Sequence, residues 1–232
     1  MRQYPLMIFA AGRGSRMGDL TRDRPKPLIP VAGRALLDHA LGVSNSPAVG
    51  RKVVNLHYLA DQIAAHLAPT DVALSWERDI VLETGGGLRH ALPLLGPGPV
   101  LTLNSDIVWT GTNPLDALAR AWDDTRMDAL LMLVAPHDAV GNAGTGDFFC
   151  DAEGRLSRAA GQGGPVYAGA QLIRPERLME IADRVFSLNV LWDRLIATGR
   201  VFGMFHVGSW CDVGRPEGIA LAEALLAGSG HE

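Results

Sequence analysis

Glycine and cationic residues crowd into one short stretch near the start of the chain. Ala10-Ala11-Gly12-Arg13-Gly14-Ser15-Arg16-Met17-Gly18 is followed closely by Arg24-Pro25-Lys26-Pro27-Leu28-Ile29-Pro30. A strand that ends in a glycine loop exposes backbone N–H groups at the carboxyl edge of a sheet, a natural site for anions. Gly12 and Gly14 let that backbone approach phosphate oxygens with no Cβ between. Arg13 and Arg16 add charge, and the prolines at 25, 27 and 30 stiffen the segment that carries Lys26. Two well-known phosphate loops are excluded by spacing. GxGxxG fails because position 17 is Met, and GxxxxGK[ST] fails because no Lys-Ser or Lys-Thr follows these glycines. Glycines alone would serve a tight strand-to-helix turn equally well; the cations and prolines favour a phosphate.

Two acidic positions complete the candidate chemistry. Asp106 closes the apolar segment 99–106, where a carboxylate at a strand end suits Mg²⁺, an ion that takes one or two protein carboxylates and fills its shell with water and phosphate oxygens. A helix N-cap is the alternative for Asp106, and equally for Asp212 in Trp210-Cys211-Asp212-Val213-Gly214. A second glycine cluster, Leu82-Glu83-Thr84-Gly85-Gly86-Gly87, has more glycine than a simple turn requires. None of the seven histidines has metal-ligand spacing, and Cys150 and Cys211 read as reduced thiols.

These residues need a frame, and the hydrophobic pattern supplies one. Residues 5–10, 51–57, 71–76, 99–104 and 128–134 read as strands, with helices at 34–44, 59–68, 85–95 and 113–123 between them. Near-continuous apolar strands alternating with helices predict an α/β fold: a three-layer Rossmann-like sandwich around a mostly parallel, mixed sheet. Beyond residue 136 the pattern loosens into a hairpin at 146–158 turning at Glu153-Gly154, a loop at 161–165 and a strand at 165–173. A helix at 187–199, a strand at 201–207 and a helix at 215–227 follow. Pro175 and Pro216 sit where helix first turns accept proline. Length and the lack of a linker predict one domain over 1–232, in which the regular pattern of 1–135 gives way to a looser one over 136–232. The net charge of -4 argues against a nucleic-acid partner, and no stretch is long enough to span a membrane. A cytoplasmic protein is expected, with helix faces that would allow a homodimer.

The run AAGRGSRMGDLTRDRPKPLIPVAG resembles the opening signature of the sugar-1-phosphate nucleotidyltransferases, AGxGxRM then LT then PKPLxPVAG. It departs in carrying Gly18-Asp19 where that family usually has a proline. The similarity extends from about residue 5 to about 227. It implies the nucleotide-diphospho-sugar transferase fold, a nucleoside triphosphate and a sugar 1-phosphate as partners, and Mg²⁺ held by Asp106 and Asp212. It further implies that the loop Ala11, Gly12, Arg13, Gly14, Ser15 and Arg16 wraps the triphosphate, with Glu83, Gly85 and Gly86 near base and ribose. Arg16 and Lys26 would clamp phosphates beside Asp106 as the catalytic group. Lys26, Asn104, Asp147, Tyr167 and Gly169 would face the sugar phosphate. The ETGGG wording, the short chain and the absence of a Glu-Lys pair near Tyr167 resemble the branch using UTP and N-acetylmuramic acid 1-phosphate. Mannose- or glucose-1-phosphate transfer with GTP or dTTP is the alternative. A non-catalytic sugar-nucleotide sensor would not be expected to keep Arg16, Lys26, Asp106 and Asp212 together. No general base is needed, because a phosphate monoester with a second pKa of about 6 is already an anion near neutral pH.

Overall fold

A computed structural model describes residues 2–229 of the chain. Its fourteen strands are β1 (Tyr4–Phe9), β2 (Pro30–Val31), β3 (Arg34–Ala35), β4 (Val49–Leu56), β5 (Ala73–Trp76), β6 (Val100–Asn104), β7 (Ile107–Trp109), β8 (Ala129–Val134), β9 (Ala139–Val140), β10 (Phe148–Cys150), β11 (Leu156–Arg158), β12 (Val166–Ile173), β13 (Val201–Phe205) and β14 (Trp210–Asp212). Six α-helices accompany them: α1 (Leu36–Val43), α2 (Ala60–Leu67), α3 (Glu83–Leu95), α4 (Pro114–Ala121), α5 (Leu188–Ile196) and α6 (Glu217–Ser229).

Seven strands form the central sheet in the order β13-β8-β12-β6-β1-β4-β5. β12 alone runs against its neighbours β6 and β8; the other pairings are parallel. The expected mostly parallel, mixed sheet is what forms. Parallel strands need both faces covered, and every residue of β8 (ALLMLV) is accordingly buried. Leu37 of α1, Ile63 of α2 and Leu118 of α4 pack with Leu6 and Ile8 on one face. Leu88 of α3 and Leu191 of α5 pack with Met7 and Val53 on the other.

Two features aim this frame at a ligand. From β1 the chain steps to β4 and β5 on one side, whereas β6 lies on the other, so the order reverses beside β1, where open α/β sheets form their crevice. A small sheet, β7-β14-β9, then stands at the end of β6, with Asp212 of β14 opposite Ile107 of β7. Its strands have two or three residues each, too short to leave a readable alternation in the sequence. The hairpin at 146–158 is present as β10 and β11, its turn held by Asp151 accepting from the backbone N–H groups of Glu153 and Arg155.

Candidate active site

The glycine loop leaves β1 as an open run of amides. The Ala10 N–H is used, donating to Asn55 Oδ1 at 2.8 Å. Those of Ala11, Gly12, Arg13 and Gly14 have no protein partner among the described residues. After Gly14, which adopts a left-handed φ of 65°, residues 15–21 coil as 3-10 turns with a kink at Gly18 (φ 59°). The Gly18 kink needs a positive φ, which a proline at that position could not supply. Met17, 1% exposed, roots the coil against Val31, Val108, Cys211 and Ala222.

The prolines do what their spacing predicts. Pro25 is extended, Lys26–Leu28 is one 3-10 turn, and the N–H of Ile29 returns to the carbonyl of Lys26 at 3.0 Å. Lys26 is 8% exposed and lies so near the loop that a Cβ on Gly14 would stand 2.8 Å from its own Cβ. Its Nζ donates to Asp106 Oδ2 at 2.5 Å. The Val213 N–H in turn donates to the Asp106 carbonyl at 2.9 Å, which sets Asp212 beside Asp106. Burial and the charge of Asp106 push the Asp212 carboxyl above its ordinary pKa, against the opposing pull of Lys26 and Arg16. Arg16 reaches the same spot, its Nη2 lying 3.2 Å from where a Gly214 Cβ would be. Two carboxylates that repel across a short gap, with no third acidic or imidazole group gathered among the described residues, suit an octahedral ion completed by phosphate and water. Both acids end or follow strands, so neither serves as a helix cap.

These groups line one end of a cavity of about 310 Å³, with Ala11, Gly12, Gly14, Ser15, Arg16, Lys26, Asn104 and Asp106 in its wall. Its far end is formed by Asn55, Glu77, Val81, Glu83 and Thr84. Glu77 is 3% exposed and has no cationic partner among the described residues: Oε1 accepts from Asn55 Nδ2 at 2.7 Å and Oε2 from the Leu82 N–H at 2.7 Å. Through Asn55 it thus reaches Ala10, at the root of the glycine loop. A second cavity of about 240 Å³ shares Phe9, Thr84 and Asn104 with the first and adds Asp147, Tyr167, Ser187, Leu188, Asn189 and Trp192. Asp147 Oδ2 accepts the Tyr167 N–H at 2.8 Å. Burial raises the pKa of the Tyr167 hydroxyl, and no hydrogen bond of ordinary geometry satisfies it among the described residues.

Five expected residues line neither cavity, and one of them, Asp212, sits just behind Gly214 of the first. Arg13 is exposed and outside both cavities. Gly169 is buried behind Asn104, where its φ of 86° and a would-be Cβ 3.1 Å from the Asn104 side chain make glycine necessary. Gly85 and Gly86 are buried inside the first turns of α3, and both amides donate to the carbonyl of Phe186, at 2.9 and 3.0 Å. A Cβ would meet Phe186 Cε2 at 2.4 Å from Gly85, the Arg184 carbonyl oxygen at 2.6 Å from Gly86 and Glu77 Oε1 at 2.8 Å from Gly87. The three glycines therefore admit protein, not ligand, against α3. Sequence reading in turn missed Asn55, Glu77, Thr84 and the 187–192 wall. A polar Asn inside the apolar run VVNLH was the available signal for the first.

A switch-point crevice, a run of free amides, two cations and two adjoining carboxylates define a class of enzyme that handles nucleoside triphosphates. In agreement, residues 6–178 match the MobA-like NTP transferase domain, and the chain belongs to that family. It is 45% identical to the N-acetylmuramate alpha-1-phosphate uridylyltransferase of Caulobacter vibrioides, with 98% of this chain and 99% of that one covered. The protein of the same name from Neisseria meningitidis is 34% identical, covering 94% and 96%. Among solved structures, HddC from Yersinia pseudotuberculosis complexed with GMP-PN superposes with a TM-score of 0.78 at 22% identity, covering 96% and 99%, and so shares the fold. The chain is a nucleotidyltransferase. No helix among the described residues is long and apolar enough to cross a membrane.

Proposed function

We propose that the chain transfers the uridylyl group of UTP to N-acetylmuramic acid 1-phosphate, giving the UDP-sugar and pyrophosphate. The observation that carries transfer is the junction of two cavities across Asn104 and Thr84, with Lys26, Arg16 and Asp106 on the first side and Asp212 behind its Gly214. The identity of the sugar and of the base rests on the near full-length similarity to the Caulobacter and Neisseria uridylyltransferases.

The charge of the first cavity orients the nucleotide. Free amides, Arg16 and Lys26 draw the triphosphate to the β1 end, while Glu77, Glu83 and apolar Val81 repel phosphate and leave that end to base and ribose. Asp106 and Asp212 would hold Mg²⁺, which supplies neutralisation of phosphate charge when bound. In the second cavity Asp147, pinned by the Tyr167 amide, offers an acceptor to sugar hydroxyls, and Asn104 faces the sugar phosphate. An oxygen of that phosphate attacks the α-phosphorus, the bond to the β-phosphate bridging oxygen breaks, and pyrophosphate leaves with its electron pair. Arg16 and Lys26 hold the oxygens on which charge accumulates, so the chain contributes position and electrostatics without a general base. Within this reading residues 1–135 supply the nucleotide side and 136–232 most of the sugar side. A cytoplasmic enzyme of cell-wall sugar recycling is the corresponding setting. The test is a panel of triphosphates against sugar 1-phosphates, read by pyrophosphate release. The highest kcat/KM is expected for UTP with N-acetylmuramic acid 1-phosphate; no turnover of that pair with turnover of another overturns the assignment.

A further inference from the structure

Residues 178–187 form a strap that leaves the end of β12, crosses α3 and delivers the chain to α5. Its last residue, Ser187, together with Leu188, Asn189 and Trp192, makes one wall of the second cavity. The far side of that wall is fixed through α5, where Trp192 donates to Gln171 Oε1 at 2.9 Å; its near side, at Ser187, depends on how the strap is held.

Buried Leu178, Ile181 and Phe186 seat the strap on the core, and one side chain gathers its backbone. Arg89, on α3, donates Nη1 to the carbonyls of Leu178 and Ile181 and Nη2 to that of Asp183 at 2.5 Å. Its guanidinium also stands 4.8 Å from the centre of the Phe186 ring. One planar cation thus gathers three carbonyls and an aromatic face from four strap residues, a fork that lysine cannot reproduce. Phe186 in turn seats on Gly85 and accepts both glycine amides. Leu188, the next residue but one, donates its N–H to Thr84 Oγ1 at 2.9 Å. Two further ion pairs, Arg184 to Asp79 and Arg194 to Glu180, are exposed at both ends and hold little.

Arg89 lines neither cavity. We infer that it is a positioning residue for the sugar-phosphate pocket: through the strap it sets Ser187, Leu188 and Asn189 without touching either substrate. The inference rests on the two-pocket reading above. It weights the substrates unequally: among the described residues the glycine loop, Lys26 and the two aspartates have no contact with the strap, and the first cavity is reached through Thr84.

Arg89→Met keeps the aliphatic stem and removes every donor; Arg89→Lys keeps the charge without the fork. Both are compared with wild type by steady-state kinetics in each substrate, by calorimetric UTP binding in the absence of sugar phosphate, and by thermal melting. The loss of one charge-assisted hydrogen bond's worth of ordering raises KM for the sugar phosphate about tenfold in Arg89→Met. With its charge retained, Arg89→Lys should show a rise of about threefold. The UTP dissociation constant rises by less than the sugar-phosphate KM in both, since the strap's link to the lining of the first cavity runs through Thr84 while the phosphate end is built from other elements. An unchanged sugar-phosphate KM in the lysine variant, or a UTP affinity that falls by the same factor, overturns the inference. A wild-type chain that turns over no sugar phosphate sinks the functional reading instead, whereas an active wild type with an indifferent Arg89→Met sinks only this one.

Discussion

Replacing Gly85 by alanine pits two effects of known sign against each other. Alanine in a helix interior is favoured over glycine by about 1 kcal/mol, so an unobstructed site would be stabilised. Gly85 is obstructed: the new Cβ would lie 2.4 and 2.5 Å from two Phe186 ring carbons and 2.9 Å from the Phe186 carbonyl oxygen. Carbon contacts settle near 3.5–4.0 Å, so the strap would have to retreat by about 1 Å. Arg89 and the two amide bonds to Phe186 oppose that retreat. Overpacking of this kind costs about 3 kcal/mol at the upper end of its range, leaving a net loss of about 2 kcal/mol. For a chain of this length that lowers Tm by about 4–8 °C. Differential scanning calorimetry of Gly85→Ala beside Gly42→Ala supplies the comparison. A Cβ at Gly42 would find only the tip of Arg34, 3.5 Å away, so its Tm should hold or rise slightly. A Gly85→Ala protein as stable as wild type that has lost UTP affinity would refute the packing argument and return this glycine to the ligand.

Two further outcomes follow from the site. Asp106→Asn should lower kcat by about two to three orders of magnitude, the usual loss when one electrostatic anchor of a transition state is removed; pyrophosphate release measures it, and a change below threefold would remove Asp106 from the chemistry. His206 stacks edge-on against Trp109 and is held by burial below the ordinary imidazole pKa. A folded pKa below the unfolded one means that the unfolded chain binds the extra proton, so stability is complete above the ordinary value of about 6.5 and falls as pH drops through it. Tm recorded from pH 7.5 to 5 should therefore decline more steeply in wild type than in His206→Asn, and parallel curves would contradict the assignment.

The frame was legible because its signals are local. β8 and α3 announce themselves through apolar runs and periodicity, and the Gly12 to Pro30 stretch carries enough constrained residue types to mark phosphate chemistry. What was not legible depends on partners far along the chain. A glycine at 85 reads identically whether its missing Cβ makes room for a ribose or for Phe186, some hundred residues later. Asp212 needed a family resemblance because its relation to Asp106 is created by a three-residue strand. The buried Glu77 followed an ordinary strand end, with nothing nearby to say that Asn55 and Leu82 would satisfy it.

The rooting of Met17 against Ala222, with the Ala32 N–H donating to Glu223 Oε1 at 3.0 Å, joins the start of the chain to its last helix. During synthesis the phosphate loop leaves the ribosome long before α6, which supplies part of the apolar backing that shapes it. A nascent chain can lay down β1, β4 and β6 early, but its catalytic pocket closes only once α6 has emerged. Truncated products would consequently retain much of the sheet while lacking the backing of the phosphate loop, so that prematurely terminated chains would not release pyrophosphate from the cell's triphosphates.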